Sequence, residues 1–482
     1  MKENETMTVD MYELTMAQTY FNEGKQNEIV YFEGFFRKIP FENGYALMGG
    51  GDEIIDYIQN LKFKKEDVEY LRSLNKFTPE FLTYLENFKF HGTIDMVPDG
   101  TPVFGNEPVI TVKANLIEAQ IIETAVLSYL NSGILFTTAA KRMTEAAGEI
   151  PIMEFGARRA NTPRAATMAS KCSYIAGCSG TSNVKAGMLY GIPVMGTMAH
   201  SMVTEEASEY DAFLKFAKSY PNDTVLLVDT YDTLNSGIPN AIRVAKEYLI
   251  PNGYQLKGIR IDSGDLAYLS KEARKMLDEA GLTDTKICLS NGLNPTTIRS
   301  LKIQGAMMDS IGAGDNIASP KERVGVVYKL VAKEENGKVI PKIKVSSDPF
   351  KTIHPGYKKV YRFYDKNTGY ALGDVLVFPH EKIDLNHYTL IHPNDETCKK
   401  EISNYIVREL QTRIFKDGDL VYKNPTILEK REYCNKEMDT LYEEIRRFEN
   451  PAIYYVDLSE EVLECKKRLI KEYKGKIKML GR

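Results

Sequence analysis

Residues 258–294 read GIRIDSGDLAYLSKEARKMLDEAGLTDTKICLSNGLN, and this stretch decides the fold. A short apolar run at 258–262 is followed by an amphipathic run at 269–282 and then by a second short apolar run at 286–290. Runs of about five apolar residues that alternate with helices of about 10–15 residues are typical of parallel β/α units. The stretch therefore predicts two parallel strands joined by a helix.

The same alternation extends over residues 151–315. The predicted strands are PIMEF, SYIAGC, PVMGTM, TVLLVDT, GIRID, KICLS and DSIGA, with helical segments such as SEYDAFLKFAKSY and NAIRVAKEYL between them. This number of units in a short stretch favours an irregular β/α barrel over an open sheet. A doubly wound sheet also satisfies the pattern, since periodicity alone does not close a barrel.

The two ends of the chain share another pattern. Strands and helices mix in residues 1–115, and residues 321–395 contain two hairpins with turns at Asn336-Gly337 and Asn367-Thr368-Gly369. We therefore expect an α/β protein in which 1–115 and 321–395 form one discontinuous α+β domain. Residues 116–320 would form the barrel with the catalytic site, and 396–482 a separate C-terminal helical extension.

Composition excludes several classes of protein. The net charge is −4 over 482 residues, so the chain has no overall basic field for nucleic acid. No run approaches the ~18 apolar residues of a membrane helix, and the N-terminus lacks the pattern of a secretory signal. The six cysteines form no CxxC pair, which argues against zinc. Together these features predict a cytoplasmic protein without a membrane partner. They leave open whether Cys398, Cys434 and Cys465 cluster.

Polar residues follow the predicted strands, at the end where β/α barrels carry their active sites. SNGLN offers Asn291 and Gly292, and IGAGDN offers Gly312 and Gly314, in loops where backbone N–H groups approach a phosphate. No GxxxxGK[ST] or GxGxxG motif is present, which disfavours a P-loop kinase and a nicotinamide-dependent dehydrogenase.

The segment RIDSGD places Arg260 and Asp262 on the same side of a strand, because side chains alternate along it. They form either a buried structural pair or a cation for an anionic substrate beside a carboxylate for sugar hydroxyls or a metal ion. His200, among the small residues of GTMAHS, is either a strand-end histidine or a reactive imidazole.

Several motifs resemble those of nicotinate phosphoribosyltransferases. In chain order they are MYELTMAQTYF, FEGFFRKIPF, EFGARRA, GTSNVKAG, GTMAHSMV, RIDSGDL, GAGDN and VYKLV. They cover about the first 360 residues, and no motif anchors the tail beyond about 396. The resemblance implies an irregular β/α barrel beside a discontinuous α/β domain.

The resemblance also implies a reaction. Nicotinate attacks C1 of 5-phosphoribosyl 1-pyrophosphate (PRPP) and gives nicotinate mononucleotide and pyrophosphate, in NAD biosynthesis. ATP hydrolysis is coupled to this step, Mg²⁺ is required, and the enzyme is expected to be a homodimer with shared active sites.

Residue roles follow from matching motifs. His200 and Asp262 are the predicted catalytic residues, with His200 transiently phosphorylated by ATP. Nicotinate would contact Tyr12 from a neighbouring subunit, together with Phe155, Thr197 and Arg260. The phosphoribosyl and phosphate groups would contact a third set, namely Arg158, Ser263, Gly264, Asn291, Gly292, Gly312, Gly314 and Asp315. No metal ligands are assigned.

Two other functions are compatible with parts of the sequence. Nicotinamide phosphoribosyltransferases have related motifs, although GTMAHS and EFGARRA favour the nicotinate enzyme. A non-catalytic barrel that binds sugar phosphates would explain the glycine loops but not His200, Arg260 and Asp262. Product formation from PRPP and nicotinate separates these functions.

Overall fold

A computed structural model describes residues 5–346, 351–392 and 395–480. The chain divides into two compact units, one formed by Met1–Leu135 with Glu322–Arg482 and the other by Phe136–Lys321. Within this division, the predicted boundaries after 115 and 320 stay predictions. In the described part of the chain, every helix is too short or too polar to cross a membrane.

The first part of the chain supplies most of one sheet and the helices that cover it. Its elements are α1 Met11–Asn22, β1 Ile29–Phe35, β2 Ala46–Leu47, α2 Gly51–Asn60, α3 Lys65–Ser73, α4 Pro79–Glu86, β3 Thr93–Met96, β4 Pro102–Val103, β5 Ile110–Asn115, α5 Leu116–Ile121 and α6 Glu123–Ala147.

The second unit alternates strands with helices. Its elements are β6 Ile152–Glu154, α7 Pro163–Ile175, β7 Gly180–Thr181, α8 Val184–Tyr190, α9 His200–Glu205, α10 Glu209–Ser219, β8 Val225–Leu227, α11 Ile238–Val244, β9 Gly258–Ile261, α12 Leu266–Glu279, β10 Lys286–Leu289, α13 Pro295–Ile303, β11 Ser310–Ala313 and α14 Asp315–Ala318.

The remaining residues add strands before three further helices. These elements are β12 Val327–Glu335, β13 Lys338–Pro341, β14 Lys359–Asp365, β15 Ala371–Val377, β16 His387–His392, β17 Asp395–Ser403, β18 Tyr405–Glu409, β19 Thr412–Lys416, β20 Asp419–Leu420, α15 Ile427–Asp439, α16 Glu443–Arg446, β21 Val456–Leu458 and α17 Glu460–Leu480.

The unit built from both chain ends contains a seven-stranded sheet in the order β13-β12-β1-β5-β3-β19-β20. All its pairings are antiparallel. Phe32 of β1 lies opposite Val112 of β5, which lies opposite Ile94 of β3, and this buried row forms part of the core. The side chains that alternate with this row point to the other face of the sheet.

The other unit contains a parallel sheet in the order β7-β6-β11-β10-β9-β8. A parallel bridge between Thr181 and Val194 extends it beyond β7. In the described residues, no pairing joins this edge to β8 and closes a ring. The α/β class is confirmed, whereas the closed barrel is not seen.

Two of the predicted strands are wrong or reduced. Residues 173–175 end helix α7, residues 176–178 follow it as a turn, and the strand is the dipeptide Gly180–Thr181. Helix α7 is buried over most of its length, so its sequence lacks the polar face that marks a helix. The segment 193–198 contributes only the bridge at Val194.

The predicted separate helical extension at 396–482 is also wrong. Strands β17–β20 precede the helices, β19 pairs with β3, β18 with β14, and β21 with β15. Arg408 and Arg413 lie on partly exposed strand faces, so charged residues interrupt the apolar alternation that signals a strand. Residues 396–482 therefore belong to the same unit as the N-terminal segment.

Candidate active site

Arg260 lies near the carboxyl end of β9 and is held by three neighbours. Its Nε donates to Ser290 Oγ at 2.8 Å, its Nη2 to Asp262 Oδ1 at 2.8 Å and its Nη1 to Thr197 Oγ1 at 3.3 Å. The side chain is only 14% exposed. A guanidinium fixed in this way presents a positive charge with little freedom to reorient.

The Asp262 carboxylate is the second charged group of the site. Ser290 and Arg260 both donate to its Oδ1. Burial raises the pKa of Asp262, but hydrogen bonds from Ser290 and Arg260, with a further contribution from His200, outweigh that effect and leave the pKa below its ordinary value. Asp262 is therefore ionised at neutral pH.

Asp229, at the end of β8, fixes the backbone beside this carboxylate. Its Oδ2 accepts from the Asp262 N–H at 3.0 Å and from Ser263 Oγ at 2.5 Å. Its Oδ1 is buried and has no hydrogen-bond partner in the described residues. A buried carboxylate oxygen without a donor is rare, so this atom is suited to a cation or a bound hydroxyl.

His200 begins helix α9 at the edge of the same group. Its Nδ1 lies 3.1 Å from Thr230 Oγ1, and its Nε2 lies 3.9 Å from Asp262 Oδ2. The side chain is 43% exposed. One ring nitrogen is thus held by a hydroxyl while the other faces the site and remains accessible.

Phe155, directly after β6, forms the apolar wall of the site. Its ring centroid lies 5.6 Å from the guanidinium carbon of Arg260. A Cβ on Gly312 would lie 2.7 Å from this ring, and one on Gly314 would lie 3.0 Å from the Phe155 carbonyl oxygen. Both glycines were predicted to contact a phosphate, but in the structure their lack of a side chain makes room for Phe155.

The loop after β10 is more open. Asn291 and Gly292 have φ of 96° and 58°, so two successive residues are left-handed. A Cβ on Gly292 would meet nothing within 4 Å. Asn316 donates to the carbonyls of Gly292 at 3.3 Å and Leu293 at 2.8 Å, which ties this loop to the one after β11. Of the four predicted loop residues, Asn291 and Gly292 therefore border open space.

The remaining residues predicted to contact phosphate differ in whether their side chains already have a partner. Asp315 accepts from Arg159 Nε at 3.0 Å, and both side chains are more than half exposed. Arg158 is exposed, and the described residues give it no ion pair. Gly264, at φ 80°, forms the turn before α12 together with Ser263. Arg158 is thus the freer of the two neighbouring arginines.

Comparison with known proteins identifies the family. Family models described as the nicotinate phosphoribosyltransferase N-terminal domain, family and C-terminal domain match residues 7–131, 150–349 and 357–466. The chain belongs to the nicotinate phosphoribosyltransferase family. The resemblance inferred from the eight motifs is confirmed.

Individual relatives agree over nearly the whole length. Nicotinate phosphoribosyltransferase of Bacillus subtilis is 43% identical over 475 residues, covering 98% of this chain and 96% of that protein. The protein of the same name from Caenorhabditis elegans is 33% identical and covers 95% and 92%. The crystal structure of human nicotinic acid phosphoribosyltransferase superposes with a TM-score of 0.86 at 28% identity, covering 95% of this chain and 99% of that one.

Tyr12, the one predicted site residue of this family member outside residues 136–321, lies in the first turn of α1. Its side chain is exposed and its hydroxyl shares a hydrogen bond with Glu123. Partial burial, followed by the charges of Glu123 and Glu13, raises the pKa of the Tyr12 phenol. At neutral pH it is an uncharged ring on the surface of its unit.

Ser290 and Thr230 are contacts that sequence reasoning missed. Ser290 directly follows β10 and precedes Asn291, and Thr230 lies shortly after β8 and follows Asp229. Their importance depends on neighbouring strands, because Ser290 reaches Arg260 across the β9–β10 pair and Thr230 reaches His200 on α9. The sequence signal that could have found both residues is a hydroxyl side chain at the end of a predicted strand.

The described residues contain no group of three or more His, Cys, Asp or Glu side chains arranged to hold a metal. Cys434 and Cys465 are both buried, whereas the side chain of Cys398 lies outside the described residues.

Proposed function

We propose that this chain transfers the phosphoribosyl group of PRPP to nicotinate and releases nicotinate mononucleotide and pyrophosphate, as a step in NAD biosynthesis. The observation that carries the proposal is the fixed Arg260 guanidinium beside the Phe155 ring. A cation next to an aromatic wall suits a flat ring that bears a carboxylate. Nicotinamide lacks that charge, so the same site favours nicotinate.

In the proposed reaction, the pyridine nitrogen donates its lone pair to C1 of the ribose. The C1–O bond breaks at the same time, and its electrons leave with pyrophosphate. Arg260, Phe155 and Thr197 orient nicotinate, and the ionised Asp262 stabilises the positive charge that develops on the ribose. Because the ring nitrogen carries no proton to remove, the reaction needs no general base.

The phosphates of PRPP would lie against the loops that follow β9, β10 and β11. Asn291, Gly292 and Gly264 supply left-handed backbone there, and Ser263 and Arg158 add a hydroxyl and a charge. Gly312, Gly314 and Asp315 act through the shape of the last loop, since their contacts are with Phe155 and Arg159.

Mg²⁺ would be held by carboxylates together with substrate phosphates. The unpartnered buried Oδ1 of Asp229 and the ionised Asp262 offer the oxygen donors that Mg²⁺ prefers. One or two carboxylates completed by phosphate oxygens are the usual protein share of such a site. When bound, the ion neutralises charge on the pyrophosphate leaving group.

ATP would act through His200. If Nδ1 donates to Thr230, the lone pair lies on Nε2, which faces the site. Nε2 would attack the γ-phosphorus of ATP, ADP would leave, and water would later cleave the N–P bond to give phosphate. The added charge of about −2 next to the Asp262 carboxylate changes the field at the substrate site.

The complete enzyme is proposed to be a cytoplasmic homodimer with shared active sites, in which Tyr12 of one chain stacks on nicotinate in the other. The parallel sheet is proposed to be part of an irregular β/α barrel. The bridge at Val194 supports this proposal, because it continues the strand order beyond β7 toward a ring.

The test offers nicotinate, nicotinamide and quinolinate side by side with PRPP, with and without ATP. Nicotinate should be converted at least about 10-fold faster than nicotinamide, the scale of one charge-assisted contact. His200→Ala should lose PRPP-stimulated ATP hydrolysis and keep a slower synthesis without ATP. Equal use of both pyridines would overturn the substrate assignment, binding without product would indicate a non-catalytic barrel, and coupled hydrolysis in His200→Ala would remove the phosphohistidine.

A further inference from the structure

A polar cavity of about 260 Å³ lies on the seven-stranded sheet of the unit built from both chain ends. None of its lining residues belongs to the unit that carries Arg260. The lining consists of Tyr31, Thr93, Asp95, Thr111, Lys113, Tyr357, Arg413, Lys416 and Asp417.

The cavity is a direct product of strand register. Lys113 of β5 lies opposite Tyr31 of β1 and Thr93 of β3. In the next row, Asp95 of β3 lies opposite Thr111 of β5 and Arg413 of β19. Because side chains alternate along strands, these residues share the face opposite the Phe32–Val112–Ile94 row.

A β-bulge in β19 brings a further cation, Lys416, into the lining of the cavity. The register of β19 against β3 shifts between Arg413 and Phe415, and both Ile414 and Phe415 are buried in the core. In a regular strand, residues 413 and 416 would face opposite ways, but the extra residue brings Lys416 back to the side of Arg413. Arg413 and Lys416 therefore both line the cavity.

The cations of the lining differ in how far they are neutralised. Lys113 pairs with Glu334 at 2.8 Å, and Arg413 pairs with Asp95 through Nε at 2.5 Å. Lys416 is exposed and makes no ion pair in the described part of the chain. Asp95 also pairs with Lys359 at 3.2 Å, so Lys113 and Arg413 are neutralised by carboxylates, and Lys416 is left as the accessible positive charge of the lining.

The aromatic residues exclude a stacked base. Tyr31 and Tyr357 stack on each other with centroids 4.7 Å apart. Lys113 lies 5.5 Å from the Tyr31 ring and Lys359 lies 5.6 Å from the Tyr357 ring. Both rings are thus already engaged, and the volume is below the ~300–1,000 Å³ of sites for drug-sized ligands.

From these observations we infer a second ligand site that takes a compact sugar phosphate. Lys416, with Lys113 and Arg413 beside it, would bind the phosphate. Asp417 and Thr93 would accept hydrogen bonds from the sugar hydroxyls, whereas the Thr111 hydroxyl is already bonded to Gln411. Inorganic phosphate would bind less well, because it has no sugar hydroxyls to donate to Asp417 or to contact Thr93.

The test follows hydrogen–deuterium exchange of the full-length protein with ribose 5-phosphate, ribose or inorganic phosphate. Ribose 5-phosphate should slow exchange in residues 405–420, with the other two probes at least about 10-fold weaker. Lys416→Gln should weaken the ribose 5-phosphate effect by about 10-fold, the scale of one charge-assisted contact. Lys366→Gln is the matched control, because Lys366 is exposed in the turn between β14 and β15 and lies outside the lining.

Three outcomes would overturn the inference. Unchanged exchange at 405–420 would show that the cavity is empty in solution, and equal effects of all three probes would show a non-selective surface. Equal behaviour of Lys416→Gln and Lys366→Gln would remove the proposed phosphate contact. Exchange in residues 286–320 reports on the proposed catalytic site. A negative result at 405–420 therefore overturns the second site without deciding the proposed function, and the reverse also holds.

Discussion

The hydroxyl of Ser290 lies between the two charged side chains at the end of β9. It accepts from Arg260 Nε and donates to Asp262 Oδ1, so one small group orients both the cation and the carboxylate. The same hydrogen bond helps to keep the pKa of Asp262 below its ordinary value. Removing the hydroxyl should therefore change the geometry and the titration of the site together.

Ser290→Ala should lower kcat/KM for nicotinate by about 10-fold, since an ionic hydrogen bond contributes ~1.5–3 kcal/mol. It should also raise the pKa of Asp262, so that activity is lost at a higher pH on the acid side. The pH profile of kcat/KM checks both effects. Ser300→Ala, on the exposed face of α13, is the control and should match the unmutated protein. An unshifted acid limb in Ser290→Ala would show that Asp262 does not depend on this hydroxyl.

Glu13, next to Tyr12 on α1, provides a prediction about stability. Burial raises its pKa to about 8, and the charges of Glu123 and Asp10 add to this, although hydrogen bonds from Thr124 act in the opposite direction. A raised folded-state pKa means that the contribution to stability is complete below the ordinary value of 4.5 and is lost as pH rises through about 8.

Glu13→Gln keeps the shape of the neutral acid but cannot ionise. Its free energy of unfolding relative to the unmutated protein should therefore increase between pH 5 and pH 8.5, by on the order of 2 kcal/mol. Thermal unfolding at several pH values checks this as a difference in Tm of a few degrees that grows with pH. A constant difference across this range would mean that Glu13 ionises normally in the folded state.

Among the elements, buried parallel strands were predictable and short or exposed strands were not. Strands β6 and β8–β11 are short, mostly apolar runs that alternate with amphipathic helices, and this alternation is detectable in the sequence. Strand β7 has two residues, too few to form a pattern, and β17–β20 carry charges on partly exposed faces. Local sequence therefore predicts an element only when burial gives it a regular pattern over several residues.

The candidate site shows the same limit. Alternation along β9 was enough to place Arg260 and Asp262 together, because both lie on one strand. The contact between Gly312 and Phe155 depends on the pairing of β11 with β6, which are about 160 residues apart in the chain. Glycines were therefore recognisable from sequence, but the group that approaches each one was not.

Gly312→Ala tests this distinction. Its Cβ would lie 2.7 Å from the Phe155 ring, so the ring must shift from its place beside Arg260. The KM for nicotinate should rise by about 10-fold while the KM for PRPP changes little. Gly292→Ala is the matched variant, because its Cβ meets nothing within 4 Å and its positive φ adds only about 1 kcal/mol of strain. It should affect the KM for PRPP more. If both variants fold but Gly312→Ala raises mainly the KM for PRPP and Gly292→Ala mainly the KM for nicotinate, Gly312 would be assigned to the phosphate site.

At the scale of the whole molecule, residues far apart in the chain are assigned to one reaction. Arg260, Asp262 and His200 belong to the unit 136–321, whereas Tyr12 belongs to the unit built from both chain ends. Tyr12 is 45% exposed, so its ring is open to contact with another chain. In the proposed homodimer with shared sites, each site would take Tyr12 from the other subunit, and this surface ring would then contribute to catalysis.

Mixing two inactive chains tests this arrangement. Tyr12→Ala and Asp262→Ala should each abolish most activity, since each damages every site of its own homodimer. After subunit exchange in equal amounts, about half of the dimers are mixed, and each mixed dimer contains one site with neither substitution. Activity should therefore return to about a quarter of the unmutated level, and the same chains mixed without exchange should stay inactive. If Tyr12 serves only its own chain, every mixed dimer still has one substitution in each site, and no activity returns.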